Sequence, residues 1–175
     1  MSAALSNDHT LVDIGDLKVT IRPITPDDRD IEAAFVKALS MQTKYERFFE
    51  GIRELSPSML NVLCNVDYVH TMAYVATIKV AGVEKEIGVC RYAADGAPDE
   101  CELAITVADD YPYQDVAGAL LKALMLHAKA NNVKRFMSIE LSSNARMHTL
   151  AKNFKMSVKS HPEDGTLVIY TLDIV

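Results

Sequence analysis

Residues 101–130 run Cys-Glu-Leu-Ala-Ile-Thr-Val-Ala-Asp-Asp-Tyr-Pro-Tyr-Gln-Asp-Val-Ala-Gly-Ala-Leu-Leu-Lys-Ala-Leu-Met-Leu-His-Ala-Lys-Ala. The first seven, with β-branched Ile105, Thr106 and Val107 at their end, predict a strand over Cys101–Val107. Alternation sets Glu102, Ala104 and Thr106 on one face and Leu103, Ile105 and Val107 on the other. Asp109, Asp110 and Pro112 interrupt the run, as a loop does. From about Asp115 to Asn131 the apolar residues fall nearly all round a helix (Val116, Ala119, Leu120, Leu121, Ala123, Leu124, Met125, Ala128), so the helix is expected against a sheet. Val133–Leu141 then reads as a second apolar strand. Such a strand–helix–strand unit implies a parallel pair with a right-handed crossover.

The flanks add antiparallel elements. Leu17–Pro23 alternates and predicts the first strand. Thr25-Pro26-Asp27-Asp28 starts a helix by a capping threonine, a proline at the first position and acid in the first turn. Ile31, Ala34, Phe35, Ala38 and Leu39 then share one helical face. A further helix is expected over about Thr43–Leu55, and another begins at Ser56-Pro57. Met72–Val80 and Lys85–Tyr92 are predicted as strands around a turn at Ala81–Glu84, and Asp95–Asp99 makes a second turn. A helix over Asn144–Phe154 and two closing strands around Asp164-Gly165 complete the chain. The reading is an α/β (α+β mixed) domain over 17–175, with a central mixed sheet of about seven strands, after an N-terminal extension at 1–16.

Composition narrows the function classes. The 175 residues carry a net charge of −6 and a pI near 5.3. Phosphate backbones are not drawn to such a surface, so nucleic acid is not expected, whereas an amine substrate suits the charge. Cys64, Cys90 and Cys101 are odd in number, have no CxxC spacing and sit in apolar runs, which predicts buried free thiols in a reducing compartment. With no apolar run of about 18 residues and no signal-peptide pattern, the cytoplasm is expected and a membrane is not. The five histidines show no metal spacing, and His127 on the buried helix reads as a satisfied core residue. Nothing in the pattern sets the oligomeric state; a homodimer is one option.

Six segments, in this order, resemble the GNAT acyltransferase superfamily, and more narrowly the acetyltransferase domain of bacterial protein-lysine acetyltransferases. They are Thr20-Ile-Arg-Pro-Ile24, Tyr45-Glu-Arg-Phe-Phe49, Leu55-Ser-Pro-Ser-Met-Leu60, Val66-Asp-Tyr-Val-His70 leading into Met72-Ala-Tyr-Val-Ala76, Glu102 to Asp110, and Ser143-Asn-Ala-Arg-Met147. The resemblance implies a splayed parallel pair formed by Cys101–Val107 and Val133–Leu141, with acetyl-CoA between the strands. Its pantetheine arm would pair with the backbone of Ile105, Thr106 and Val107. Its pyrophosphate would lie on the amino end of the next helix, where free N–H groups favour an anion. Glu102 takes the place of the family's general base, which a raised pKa among apolar neighbours would suit; read from the residues alone, it is equally a solvated Glu at the start of a strand. Asn144 matches an asparagine on the cofactor arm and is equally a good helix N-cap. Asp67, Tyr68 and Tyr45 would border the acceptor.

The pyrophosphate loop departs from the family pattern of Gln or Arg, two residues, Gly, one residue, Gly or Ala. Without a gap the chain reads Pro112-Tyr113-Gln114-Asp115-Val116-Ala117, where Ala117 alone fits. A register shifted by two, Gln114-Asp115-Val116-Ala117-Gly118-Ala119, fits better but lengthens the loop. Asp115 is a helix N-cap candidate and a like charge to a diphosphate. After screening, that charge costs roughly 1–2 kcal/mol, about 10- to 30-fold in affinity. Tyr113 could stack on the adenine. Ala151 stands where many family members carry a tyrosine acid. These departures leave three readings: an N-acetyltransferase acting on a protein lysine or small amine, a catalytically silent binding or regulatory module, and a domain that takes another acyl-CoA or ligand in the same gap.

Overall fold

Strand alternation and helical periodicity are realised around one mixed sheet. A computed structural model describes residues 8–175. Its strands are β1 (Thr10–Ile14), β2 (Leu17–Pro23), β3 (Thr71–Val80), β4 (Val83–Asp95), β5 (Ala97–Val107), β6 (Arg135–Leu141), β7 (Ser157–Ser160) and β8 (Leu167–Asp173). Its helices are α1 (Arg29–Ala38), α2 (Met41–Phe48), α3 (Pro57–Cys64), α4 (Tyr113–Ala130) and α5 (Ala145–Asn153), with a 3₁₀ turn at Pro26–Asp28. The spatial order of the eight strands is β1-β2-β3-β4-β5-β6-β8-β7.

Two sequence expectations need correction. The extension at 1–16 contributes β1, which pairs antiparallel with β2 from Thr10↔Ile21 to Ile14↔Leu17; residues 1–7 lie outside the described residues. Alternation could not reveal β1, because Leu11 is 80% exposed and Ile14 is its one buried residue. The strand is held by its ladder with β2 and by Val12 and Ile14, which pack on the α4-side core. The helix expected over Thr43–Leu55 ends at Phe48, because Phe49 turns left-handed (φ 55°) and donates its N–H to Tyr45 O. The Ala81-Gly82 turn has positive φ at both positions (51° and 79°). That twist matches a two-residue hairpin, so the strands on either side run longer than expected.

The sheet separates two cores. On one face Val116, Leu120, Leu121 and Leu124 of α4 pack on Ile21, Met72, Tyr92 and Phe136. Each fully buried leucine there contributes about 2 kcal/mol. Contact is closest at Gly88, where an added Cβ would lie 3.0 Å from Val116 Cγ1 and 3.1 Å from Leu120 Cδ1. On the other face Phe35, Val36, Leu39 and Cys64 cover Ala73, Val75 and Val89. All strand pairs are antiparallel except β5–β6, which is parallel and joins only Glu100–Glu102 to Arg135–Met137. No described helix is long and apolar enough to cross a membrane.

Candidate active site

Pairing stops at Glu102, so from Leu103 to Val107 the backbone edge of β5 facing β6 has no strand partner. The two strands diverge there, and the wedge between them leaves a cavity of about 40 Å³. Glu102 to Val107 form one wall, with Ile139, Glu140 and Asn144 opposite. Tyr113 and Arg146 sit at one end, and Thr43, Glu46 and Arg47 of α2, with Phe49 just after it, close over it.

Glu102 stands where the two strands begin to part, exposed, on the same face as Ala104 and Thr106. It lacks the apolar enclosure expected of it. Ile105, Thr106 and Val107 line the wall. Thr106 is 4% exposed, and its Oγ1 has no hydrogen-bond partner among the described residues. Asn144 is both N-cap and wall: its Oδ1 accepts from Met147 N at 3.1 Å while the residue faces the cleft.

The loop residues divide. Pro112 is the N-cap of α4 and Tyr113 its first residue, two positions earlier than predicted. The N–H groups of Tyr113, Gln114 and Asp115 therefore lack intrahelical partners, and the first helical bond runs from Val116 N to Pro112 O at 3.1 Å. Ala117 and Gly118 lie within the regular helix, buried, with their amides spent on it. The shifted register thus fails, and neither residue offers an N–H to a ligand. Asp115 is not the cap but the third helical residue, exposed, and together with Gly118 lines a separate groove against β1. Gln114 bonds to Arg146 O at 3.0 Å and ties α4 to α5. Tyr113 alone of these side chains faces the cleft, where burial pushes its phenol above the ordinary value.

Of the residues expected near an acceptor, Tyr45 is exposed on α2. Tyr68 donates to Ile24 O at 2.8 Å, and Asp67 accepts the amides of Val69, His70 and Thr71, so both shape their loop. His127 is satisfied by Tyr68 O at 2.8 Å. Ala151 is buried, leaving α5 without a phenol there.

Four charged cleft residues, Glu46, Arg47, Glu140 and Arg146, escaped the sequence reading. Glu140 is 9% exposed and accepts from Ser138 Oγ at 2.6 Å; burial pushes its carboxyl up to about 7. Arg47 enters from α2, and burial, helped by nearby Arg91, lowers its guanidinium to about 10. Arg146, on α5, lies 4.9 Å from the centre of the Tyr113 ring and donates to Thr43 Oγ1 (3.1 Å) and Glu46 Oε2 (3.2 Å). Glu140 was readable: it shares the inward face of β6 with Phe136 and Ser138. Arg47 was not, since helix α2 is far in sequence from the strands of the cleft, and Arg146 was not, since its place is set by Glu46 and Thr43 of α2, about 100 residues away.

The solved GNAT domain of S. lividans PAT superposes with a TM-score of 0.84 at 25% identity, covering 96% of this chain and 98% of that one. A cAMP-binding acyltransferase from Mycobacterium smegmatis shares the fold (TM-score 0.63, 23% identity, 99% of this chain and 50% of that one). A mixed sheet whose parallel pair splays beside a helix N-terminus is the acyltransferase architecture of the GNAT type. No protein-family model matches the chain. It is, however, 34% identical over 171 residues to acetyltransferase PA5475 of Pseudomonas aeruginosa, covering 97% of this chain and 92% of that protein. The chain belongs to the GNAT acetyltransferase family. It is also 29% identical to acetyltransferase Pat of Mycolicibacterium smegmatis over 131 residues, 74% of this chain and 38% of that larger protein.

Proposed function

We propose that the chain transfers the acetyl group of acetyl-CoA to a primary amine, a protein lysine or a small molecule, with Glu102 as general base. The observation that carries this is the unpaired edge of β5 between Leu103 and Val107, with Glu102 at one end and the free amides of α4 near the other. An extended amide-bearing arm finds its hydrogen-bond partners on that edge without needing particular side chains. The free N–H groups of Tyr113, Gln114 and Asp115 suit the anionic end. Thr106 Oγ1, buried and unpartnered, is a polar atom that such an arm would satisfy.

In this scheme the ammonium acceptor loses a proton to the Glu102 carboxylate, directly or through one water, and the amine attacks the thioester carbonyl. The C–N bond forms, the C–S bond breaks, and the thiolate takes up a proton. Ala151 provides no phenol for that last step. Glu140 and Tyr113 are the cleft groups that burial keeps protonated nearest the wedge. Replacing Glu102 by Gln is expected to lower kcat about 100-fold or more while the Kd for acetyl-CoA stays within twofold. Unchanged turnover would remove the role of Glu102.

A second reading, a silent binding module, draws on the intrusion of Arg47 and Glu46 into the wedge. Calorimetric titration separates the two readings. Saturable acetyl-CoA binding below millimolar concentrations supports the transferase, and its absence supports the module.

A further inference from the structure

The loop entering α4 has neither the leading Gln or Arg nor a glycine, so a diphosphate arriving there finds three free amides and no cation from the loop itself. A cation is nevertheless present. Arg146 projects from the first turn of α5 and lies over the ring of Tyr113, the residue that opens α4. The same cleft holds Thr106 Oγ1, which is buried and without a partner among the described residues. Arg146 is not idle: Glu46 of α2 holds it at 3.2 Å, and the Glu46 side chain is only 9% exposed. This ion pair spans the wedge and ties α2 across it.

We propose that Arg146 is the cation that receives the diphosphate of the acyl-CoA donor, replacing what the loop has lost, and that Glu46 holds Arg146 and α2 closed until the donor displaces it. The proposal rests on the acetyl-CoA reading above. Its logic is competition for one guanidinium. A diphosphate offers more charge and a bidentate set of oxygens than a single carboxylate, and guanidinium geometry matches it. Because Glu46 must be released, part of the binding free energy is spent on opening α2, and removing Glu46 returns it.

The test compares acetyl-CoA with S-acetylpantetheine, which keeps the acyl arm and lacks the diphosphate, by calorimetric titration of wild type, Arg146→Met and Glu46→Gln. Loss of a charge-assisted contact is worth roughly 10- to 100-fold. Arg146→Met is therefore expected to weaken acetyl-CoA by that factor without weakening S-acetylpantetheine. Glu46→Gln, which keeps the shape of the side chain, is expected to tighten acetyl-CoA several-fold. The proposal is overturned if Arg146→Met binds acetyl-CoA within twofold of wild type, if it weakens both thioesters equally, or if Glu46→Gln weakens acetyl-CoA. Should wild type bind neither thioester, the acetyl-CoA reading itself falls. Binding of both with no effect of Arg146→Met sinks this inference alone.

Discussion

Glu140 and Glu102 are both carboxylates on strands of the splayed pair, yet they live in opposite solvents. Glu102 is exposed, whereas Glu140 is almost entirely removed from water. Desolvation raises Glu140 from its ordinary 4.5 to about 7, against the hydrogen bond from Ser138 and the charge of Arg47, which both favour the anion. The unfolded chain gives up that proton near 4.5, while the folded chain keeps it to about 7. Between those values the native state binds more protons than the unfolded state, so stability falls as pH rises through the window and levels off above it. The full effect is at most about 3 kcal/mol. Glu140→Gln removes the titration and keeps the shape. In urea unfolding at pH 4, 5, 6, 7 and 8, the stability of the variant relative to wild type is expected to climb between pH 5 and 7 and then stay flat. A difference independent of pH would show that folding leaves the Glu140 carboxyl at its ordinary value. Alternation already assigned Glu102 to the face of Ala104 and Thr106, and the structure keeps it there. Its solvent exposure was not legible, because exposure depends on how far β6 moves away, and no local pattern encodes that distance.

Helix α2 matters through its attachments. Ser40, its N-cap, and Thr43 in its first turn are both bound by Asp109, which lies in the loop before α4. The carboxylate accepts from Ser40 N (2.9 Å), Ser40 Oγ (2.8 Å) and Thr43 Oγ1 (2.7 Å). Burial alone would raise the pKa of Asp109, but these hydrogen bonds and the charge of Arg146 hold it below the ordinary carboxylate value. Their stabilisation is therefore present above the ordinary value and lost as pH falls below it. One side chain thus joins the amino end of α2 to the loop that leads into α4. Asp109→Ala is expected to cost roughly 1–2 kcal/mol. Hydrogen exchange should show the loss concentrated in residues 41–49, with β5 amides keeping their protection. Uniform loss of protection would mean that Asp109 supports the fold rather than α2. This attachment illustrates what a sequence conceals. Helix α4 was legible because a long apolar periodicity needs no distant partner, although its start moved from Asp115 to Tyr113 once Pro112 took the cap. The end of α2 depended on the backbone turn at Phe49, and its role depended on partners 66 to 103 residues away (Asp109, Arg146), which no local pattern records.

Across the whole molecule the two faces of the sheet are built from different materials. The α4 face carries the larger apolar cluster, with Ser138 and Glu140 as its buried polar residues on β6. The face under α1 and α3 mixes a smaller apolar cluster with buried charge: Arg91 donates to Glu32 at 3.2 Å, and burial keeps the Glu86 carboxyl well above its usual range. Nearby, Arg22 holds Asp28 through two bonds of 2.8 Å. Buried ion pairs of this kind contribute little net stability compared with apolar packing, so the second face should open first. Three free cysteines report on this directly. Cys90 and Cys101 belong to the α4-face core on β4 and β5, and Cys64 belongs to the other core at the end of the short helix α3. Burial raises the Cys64 thiol to about 11 and pushes the other two upward as well, so each reacts only when its surroundings open. Labelling with a thiol reagent across low urea concentrations measures the free energy of each opening and the surface it exposes. Cys64 is expected to react fastest, with a urea dependence roughly half that of global unfolding. Cys90 and Cys101 should share the global slope, because the central strands they occupy separate only when the sheet does. Equal slopes for all three would make the sheet and both its faces one cooperative unit, and the helices over the wedge could then move only as rigid bodies, without local unfolding at α3.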